Sequence, residues 1–395
     1  MHIGGDELYN QYRRKKLLLK VLVFFIFFLI VSIIGGYFVY LYFSRPNISK
    51  YFDNHKPFGI LLVLETNKEE QEQLHENLYI GIALVSPGTS RIGLISFFPH
   101  TRLRQGDEPL NTRLISEGVD KISSELGAML KIEIPFYIRI IPDNISKIID
   151  LIEGLNYFLW QPDILENESL PLGEFILEGE TAKLLVSAAE QNEYAAALRL
   201  FRQYSLLLNL WQNRVEKWDI LKNLVIFDIA VNDIETSLNK KELYYIADNF
   251  FSQEGWLPLF FEVPLKRNED SYIVDIEAAA LYLKEFRKKI TEKSDPFSET
   301  LPRMEIKNGT SIKSLARKTR IFFSRKGIQI LEFSNADHND YKHSILLNTS
   351  ANTYYTGSIA KLTGIKKSYY AVNKSLFTDL ILIVGEDFKE LNLEN

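Results

Sequence analysis

Short apolar runs closed by turn residues alternate along this chain with stretches whose apolar positions recur at helical spacing. "FGILLVLE" (residues 58–65), "LYIGIALVSP" (78–87) and "RIGLISFF" (91–98) have the length and content of buried strands. The last two are separated by Pro-Gly-Thr, which predicts a hairpin. The acidic, Gln-rich "TNKEEQEQLHEN" ahead of them reads as a solvated loop. "TRLISEGVDKISSELGAML" sets Leu114, Val119, Ile122, Leu126 and Met129 at helical spacing. "PFYIRIIP" alternates as a strand. "DNISKIIDLIEGLN" predicts a helix capped by Asp143 or Asn144 and stopped at Gly154. "EGETAKLLVSAAEQ" and the long amphipathic "AAALRLFRQYSLLLNLWQNRVEKW" predict two more helices. In "DIETSLNKKELYYIADNFF", Thr236 or Ser237 stands where a helix cap is expected, ahead of Glu242. "LPLFFEVPL" reads as a strand, "DIEAAALYLKEFRKKI" as a closing helix, and the polar, proline-bearing "TEKSDPFSETLPR" as a linker. Beyond it come a strand, an Asn-Gly turn, a helix, a strand and a terminal strand ending in glycine. Strands alternating with helices predict an α/β class, helices covering a sheet.

The first fifty residues follow a different pattern. The basic "RRKK" (Arg13–Lys16) precedes "VLVFFIFFLIVSIIGGYFVYLYF", residues 21–43. That run is long enough to cross a hydrocarbon core of about 30 Å, and it lacks the short apolar stretch and cleavage site of a signal peptide. Tyr37, Tyr40 and Tyr42 cluster at its far end, as an interfacial belt does. The basic side is expected to stay in the cytoplasm. This predicts a single-pass protein of the cytoplasmic membrane, N-terminus inside, with everything after the span extracytoplasmic.

Composition narrows the chemistry. At roughly 150 residues per domain, 395 residues predict two or three units. The absence of cysteine excludes disulfides, thiolate catalysis and Cys-based metal sites. Residues 1–50 and 303–395 each carry about +5, so the middle carries about −15. A nucleic-acid-binding main domain would be basic, so no nucleic-acid partner is expected. The six histidines are scattered, in no metal-ligand spacing.

Several phrases carry a resemblance. "IPFYIRIIPDNISKIIDLIEGLN", "LPLGEFILEGETAKLLV" (Leu170–Val186), "LRLFRQ" (Leu198–Gln203) and "DIETSLNKKEL" resemble, in that order, segments of the LytR-CpsA-Psr family. "MEIKNGTSIKSLARK" (Met304–Lys318), "FFSRKGIQI" and "DLILIVGEDF" (Asp379–Phe388) resemble the LytR C-terminal domain. The resemblance implies a basic cytoplasmic segment over 1–20 and a transmembrane helix over 21–43. An α/β/α domain with a central mixed sheet follows over 56–291, then a linker over 292–302 and a small C-terminal α/β domain over 303–390. It further implies transfer of a glycopolymer from a polyprenyl-pyrophosphate carrier to the cell wall.

Such a reaction has a physical logic. Guanidinium groups fit phosphate oxygens in pairs, a carboxylate-held Mg²⁺ neutralises the leaving phosphate, a base activates the incoming hydroxyl, and the lipid tail needs an apolar slot beside the sheet. Here the family's Pro-Arg-Asp-Thr loop is replaced by "FFPHTRLRQ", so the carboxylate position falls on His100. The family's other carboxylate, before the preceding strand, has no counterpart in "NLYIGIAL". What the resemblance leaves for a pyrophosphate is Arg102, Arg104, Arg199, Arg202 and Gln203, with His100 as the one candidate base. Asn111 matches a family asparagine and reads equally as a turn residue. No metal ligand set remains, and Mg²⁺ enters only if an acid outside the usual motif supplies a ligand: Glu193, Asp107 or Glu108. Two readings follow. One is an envelope protein that binds a polyprenyl-phosphate-linked glycan, a cell-wall polymer or an envelope partner without processing it. The other is a diverged but active phosphotransferase. Either predicts a pocket that is apolar inside and cationic at its mouth, not closed by Phe97 and Phe98.

Overall fold

The computed structural model describes residues 47–66, 77–161, 164–165, 168–188, 195–268, 271–293 and 301–389. Among them no helix is long and apolar enough to cross a membrane. The predicted span over residues 21–43, the basic segment 1–20 and most of the predicted linker lie outside the described residues.

The elements of the first module run β1 (Phe58–Glu65), β2 (Asn77–Ser86), β3 (Arg91–Phe97), α1 (Leu110–Glu117), α2 (Val119–Leu130), β4 (Phe136–Ile140), α3 (Pro142–Leu151) and β5 (Leu155–Leu159). The short pair β6 (Ile164–Leu165) and β7 (Glu168–Ser169) precedes β8 (Gly173–Leu177), α4 (Gly179–Ser187), α5 (Ala195–Gln212), α6 (Arg214–Leu221) and α7 (Leu224–Val231). The module closes with β9 (Glu235–Thr236), α8 (Lys240–Phe251), β10 (Leu257–Glu262), β11 (Leu265–Asn268), β12 (Ser271–Val274) and α9 (Ile276–Thr291).

Six strands form a mixed sheet in the order β10-β3-β2-β1-β4-β9. The predicted β2–β3 hairpin is present, with Ser86 opposite Arg91. Period-two alternation sends successive side chains to opposite faces. Leu61, Val63, Ile80, Ile82, Ile95, Phe97 and Leu259 meet α1, α2 and α9 in one core. Leu64 packs on the other face with Ile149 of α3, Leu185 and Val186 of α4 and Leu206 of α5. The result is a three-layer α/β/α arrangement.

Several sequence expectations are corrected. The helix predicted across Gly118 is two helices, because Gly118 sits at φ 84, outside the helical region. The long helix predicted from residue 195 breaks at Asn213. Helix α3 starts at Pro142; Asn144, instead of being the cap, turns its side-chain oxygen back to the Ile141 N–H at 2.9 Å. Helix α8 is capped by neither Thr236 nor Ser237. Asn239 accepts from the Glu242 N–H, and Glu242 accepts from the Asn239 N–H.

The C-terminal module holds β13 (Arg303–Asn308), α10 (Leu315–Arg325), β14 (Gln329–Asn335), β15 (Ile345–Asn348), α11 (Thr353–Thr363), β16 (Lys367–Tyr370) and β17 (Leu380–Val384). Its five strands are ordered β14-β13-β17-β15-β16. Both helices pack on one face, where Phe323, Leu315 and Ile359 meet Ile306, Leu346 and Leu382. The other face presents Ile345, Leu347, Tyr369, Ile381 and Ile383 to Phe158 and Trp160, so the first module covers it.

Candidate functional site

Arg199, Arg202 and Gln203 lie on the first half of α5. Arg199 and Arg202 are buried, at 6% and 8% exposure. Arg202 donates from Nε to the Leu185 carbonyl (3.1 Å) and from Nη2 to the Ala188 carbonyl (2.8 Å). Gln203 Nε2 donates to the Val186 carbonyl at 3.0 Å. These carbonyls end α4, where a helix has no internal donors left to offer. A cation there also complements the negative end of the helix dipole. The pair therefore ties α5 to the end of α4 through the backbone.

The loop after β3 is fixed by other partners. Thr101 and Leu103 are buried, and Leu103 belongs to the core of α1, α2 and α9. His100 is exposed, with Nδ1 3.3 Å from Asn111 Nδ2. The strand does not continue through Arg102 and Arg104. Arg102 bridges to the β11–β12 hairpin by backbone bonds with Tyr272 and Val274, and its Nη1 donates to the Asp107 carbonyl at 2.9 Å. Arg104 is exposed, 3.8 Å from Glu125.

Sequence reasoning missed Arg113, whose side chain is only 9% exposed. It donates to Glu117 at 2.9 Å, pairs with Glu125, and lies 3.5 Å from Asp107. These hydrogen bonds hold the Glu117 carboxyl below the usual carboxylate range. Arg113→Met leaves three carboxylates without their shared cation. It is expected to lower the urea midpoint at neutral pH; an unchanged midpoint would contradict this. Asp107, one of the candidate acids, is thus engaged by Arg113, Glu108 is exposed, and Glu193 lies outside the described residues.

An apolar cavity of about 270 Å³ opens between the sheet and α3–α5. Leu62 and Leu64 of β1, Ile138 and Ile140 of β4, Ile145 and Ile149 of α3, and Leu206, Leu207 and Leu210 of α5 line it. Tyr79, Gln203 and Tyr204 are its polar-tipped residues. Both tyrosine hydroxyls meet Ser96 Oγ, Tyr204 donating at 2.6 Å and Tyr79 at 2.9 Å from it. Phe97 faces the opposite core and Phe98 packs beside Tyr204; neither lines the cavity. The interior is apolar, as expected. Among the described residues the lining contains no charged side chain, so they do not build the expected cationic mouth into its walls.

Burial pushes the Tyr79 hydroxyl up to about 12 and raises Tyr204 well above its ordinary value. A group whose folded value is raised stabilises fully below its unfolded value, here about 10, and loses that contribution as pH rises toward 12. The urea midpoint should therefore fall above about pH 10, and less steeply in Tyr79→Phe. Equal slopes for the two proteins would contradict this.

The described residues of the loop after β3 do not offer Mg²⁺ a ligand set. Hard cations take clustered oxygen ligands. The loop offers His100 and Asn111, and its Asp107 carboxylate is engaged by Arg113. Among the described residues no three His, Asp or Glu side chains group as metal ligands.

By sequence, the chain matches no family model and no curated protein. By structure it is similar to protein gbs0355 from Streptococcus agalactiae, with 14% identity and a TM-score of 0.51, over 64% of this chain and 93% of that one. It is also similar to TagV of B. subtilis (20% identity, TM-score 0.47, 59% and 97% covered). A third is TagT bound to LI-WTA (13% identity, TM-score 0.48, 59% and 90% covered). The streptococcal likeness shows a shared fold. That fold is of the kind the LytR-CpsA-Psr resemblance implies, with helices on both faces of a central mixed sheet.

Proposed function

We propose that the chain is a cell-envelope protein of LytR-CpsA-Psr type that binds the tail of a polyprenyl-phosphate-linked glycan and has lost the transfer reaction. The supporting observation is the apolar cavity between the sheet and α3–α5. Its roughly 270 Å³ is below the ~300–1,000 Å³ of sites that enclose a whole ligand, so it takes a section of a tail. The reading places the span over residues 21–43 in the cytoplasmic membrane and both modules outside it. Loss of transfer is supported by His100 in the carboxylate position and by the use of Arg202 and Gln203 on the backbone of α4.

The test uses residues 51–395, which make one compact unit. A fluorescent polyprenyl-pyrophosphate analogue should bind saturably, with no phosphate product released with or without Mg²⁺. Release that is abolished by His100→Ala would establish a rewired phosphotransferase instead. No saturable binding would remove both readings.

A further inference from the structure

A cation reaches the cavity wall from the other module. Lys374, just past β16, places Nζ 2.6 Å from Glu262 Oε1 and 5.5 Å from the centre of the Tyr204 ring. Tyr204 lines the cavity. Glu262 ends β10 directly opposite Ser96 of β3, whose hydroxyl joins Tyr204 and Tyr79. Lysine and carboxylate thus sit beside Tyr204, whose hydroxyl meets Ser96 together with that of Tyr79; both tyrosines line the cavity, whose other described walls, Gln203 apart, are apolar. The Lys374 and Glu262 side chains are 27% and 29% exposed, so solvent and solute reach the pair. The segment that carries Lys374 is held firmly. Asn209 pairs with the backbone of Tyr370, Ser205 Oγ accepts from the Val372 N–H, and the Asn373 N–H donates to Thr349.

We infer that Lys374 supplies an anion-binding group beside the Tyr204 wall of the cavity, taking the phosphate of a ligand whose tail lies in the cavity, with Glu262 as the internal counter-ion that the phosphate displaces. The inference rests on the cavity being a tail site. A polyprenyl phosphate, the monoester used as the probe, carries about −1.5 to −2 charges at pH 7, against one on Glu262. Its bonds to an ammonium are charge-assisted and short, so exchange of partners favours the phosphate. With no ligand, Glu262 keeps Lys374 satisfied. The C-terminal module then has a role in binding: it completes a site whose walls belong to the first module.

The experiment compares a polyprenyl phosphate with the polyprenyl alcohol of equal length, on residues 51–395 and on Lys374→Met, Lys374→Arg and Glu262→Gln. The phosphate should bind about tenfold tighter than the alcohol. Lys374→Met should erase that preference and leave alcohol binding unchanged, Lys374→Arg should keep it, and Glu262→Gln should increase it. Inorganic phosphate and pyrophosphate serve as competitors: competition against the lipid phosphate but not the alcohol locates the anion at Lys374. If both lipids bind and Lys374→Met leaves their ratio unchanged, Lys374 has no such role although the tail site stands. If neither lipid binds, both fall. Should Lys374→Met melt early, the Glu262→Gln ratio decides, and an unchanged or lower preference there overturns the inference.

Discussion

Asn209→Ala is expected to destabilise the C-terminal module by about 3 kcal/mol and to move its unfolding to a lower temperature than that of the first module. Asn209 is 1% exposed. Its Nδ2 donates to the Tyr370 carbonyl at 2.8 Å, and its Oδ1 accepts from the Tyr370 N–H at 3.0 Å. Truncation leaves both backbone groups of a buried tyrosine without these partners, and each such group costs about 1–3 kcal/mol. Leu200, Tyr204 and Leu208 of α5 pack beside this bond against Ala351, Tyr370 and Val372. The covered face of the C-terminal sheet depends on the same docking, because the Tyr369 ring centre sits 5.7 Å from that of Phe158. Calorimetry reads the result directly. An unfolding profile unchanged from that of the unsubstituted protein would mean that the modules do not depend on this bond.

The second large effect is on binding. Leu206→Trp places a bulky ring in a cavity of about 270 Å³ that Leu206 already lines from α5. Overpacking of this kind costs about 1–3 kcal/mol of stability, less where an opening lets the ring turn outward. Tail binding, by contrast, should fall by more than about tenfold, since the occupied space is the binding space. Leu224→Trp, at a 70% exposed position on α7, should change neither. Equal lipid affinity in Leu206→Trp and the unsubstituted protein would place the tail elsewhere.

How much of this was readable before the structure depends on the range of the contacts. The β2–β3 hairpin was legible because alternation and the turn residues act within a few positions. The breaks at Gly118 and Asn213 were not, because apolar spacing continues across them while the backbone does not. Arg202 and Gln203 stood out in sequence, but their partners are carbonyls at the end of another helix, which no side-chain pattern reveals. Arg113 was hidden in a predicted helix as one more surface cation; its three carboxylates come together only when α1 folds against α2 and the preceding loop. The two hydroxyls on Ser96 were masked because β3 reads as an uninterrupted apolar run. The docking of the modules joins residues 161 positions apart, and Lys374 meets Glu262 across 112. Spacing alone carries no trace of either.

The most direct test of the tail site is photolabelling. A polyprenyl phosphate carrying a diazirine near the middle of its tail is bound to residues 51–395, irradiated, and the labelled peptides are mapped. Labels on β1, α3 and α5, at residues such as Leu64, Ile149 and Leu206, with loss of labelling in Leu206→Trp, are the expected result. Labels confined to exposed apolar positions such as Leu224 and Val225, unaffected by Leu206→Trp, would contradict a tail site between the sheet and its helices.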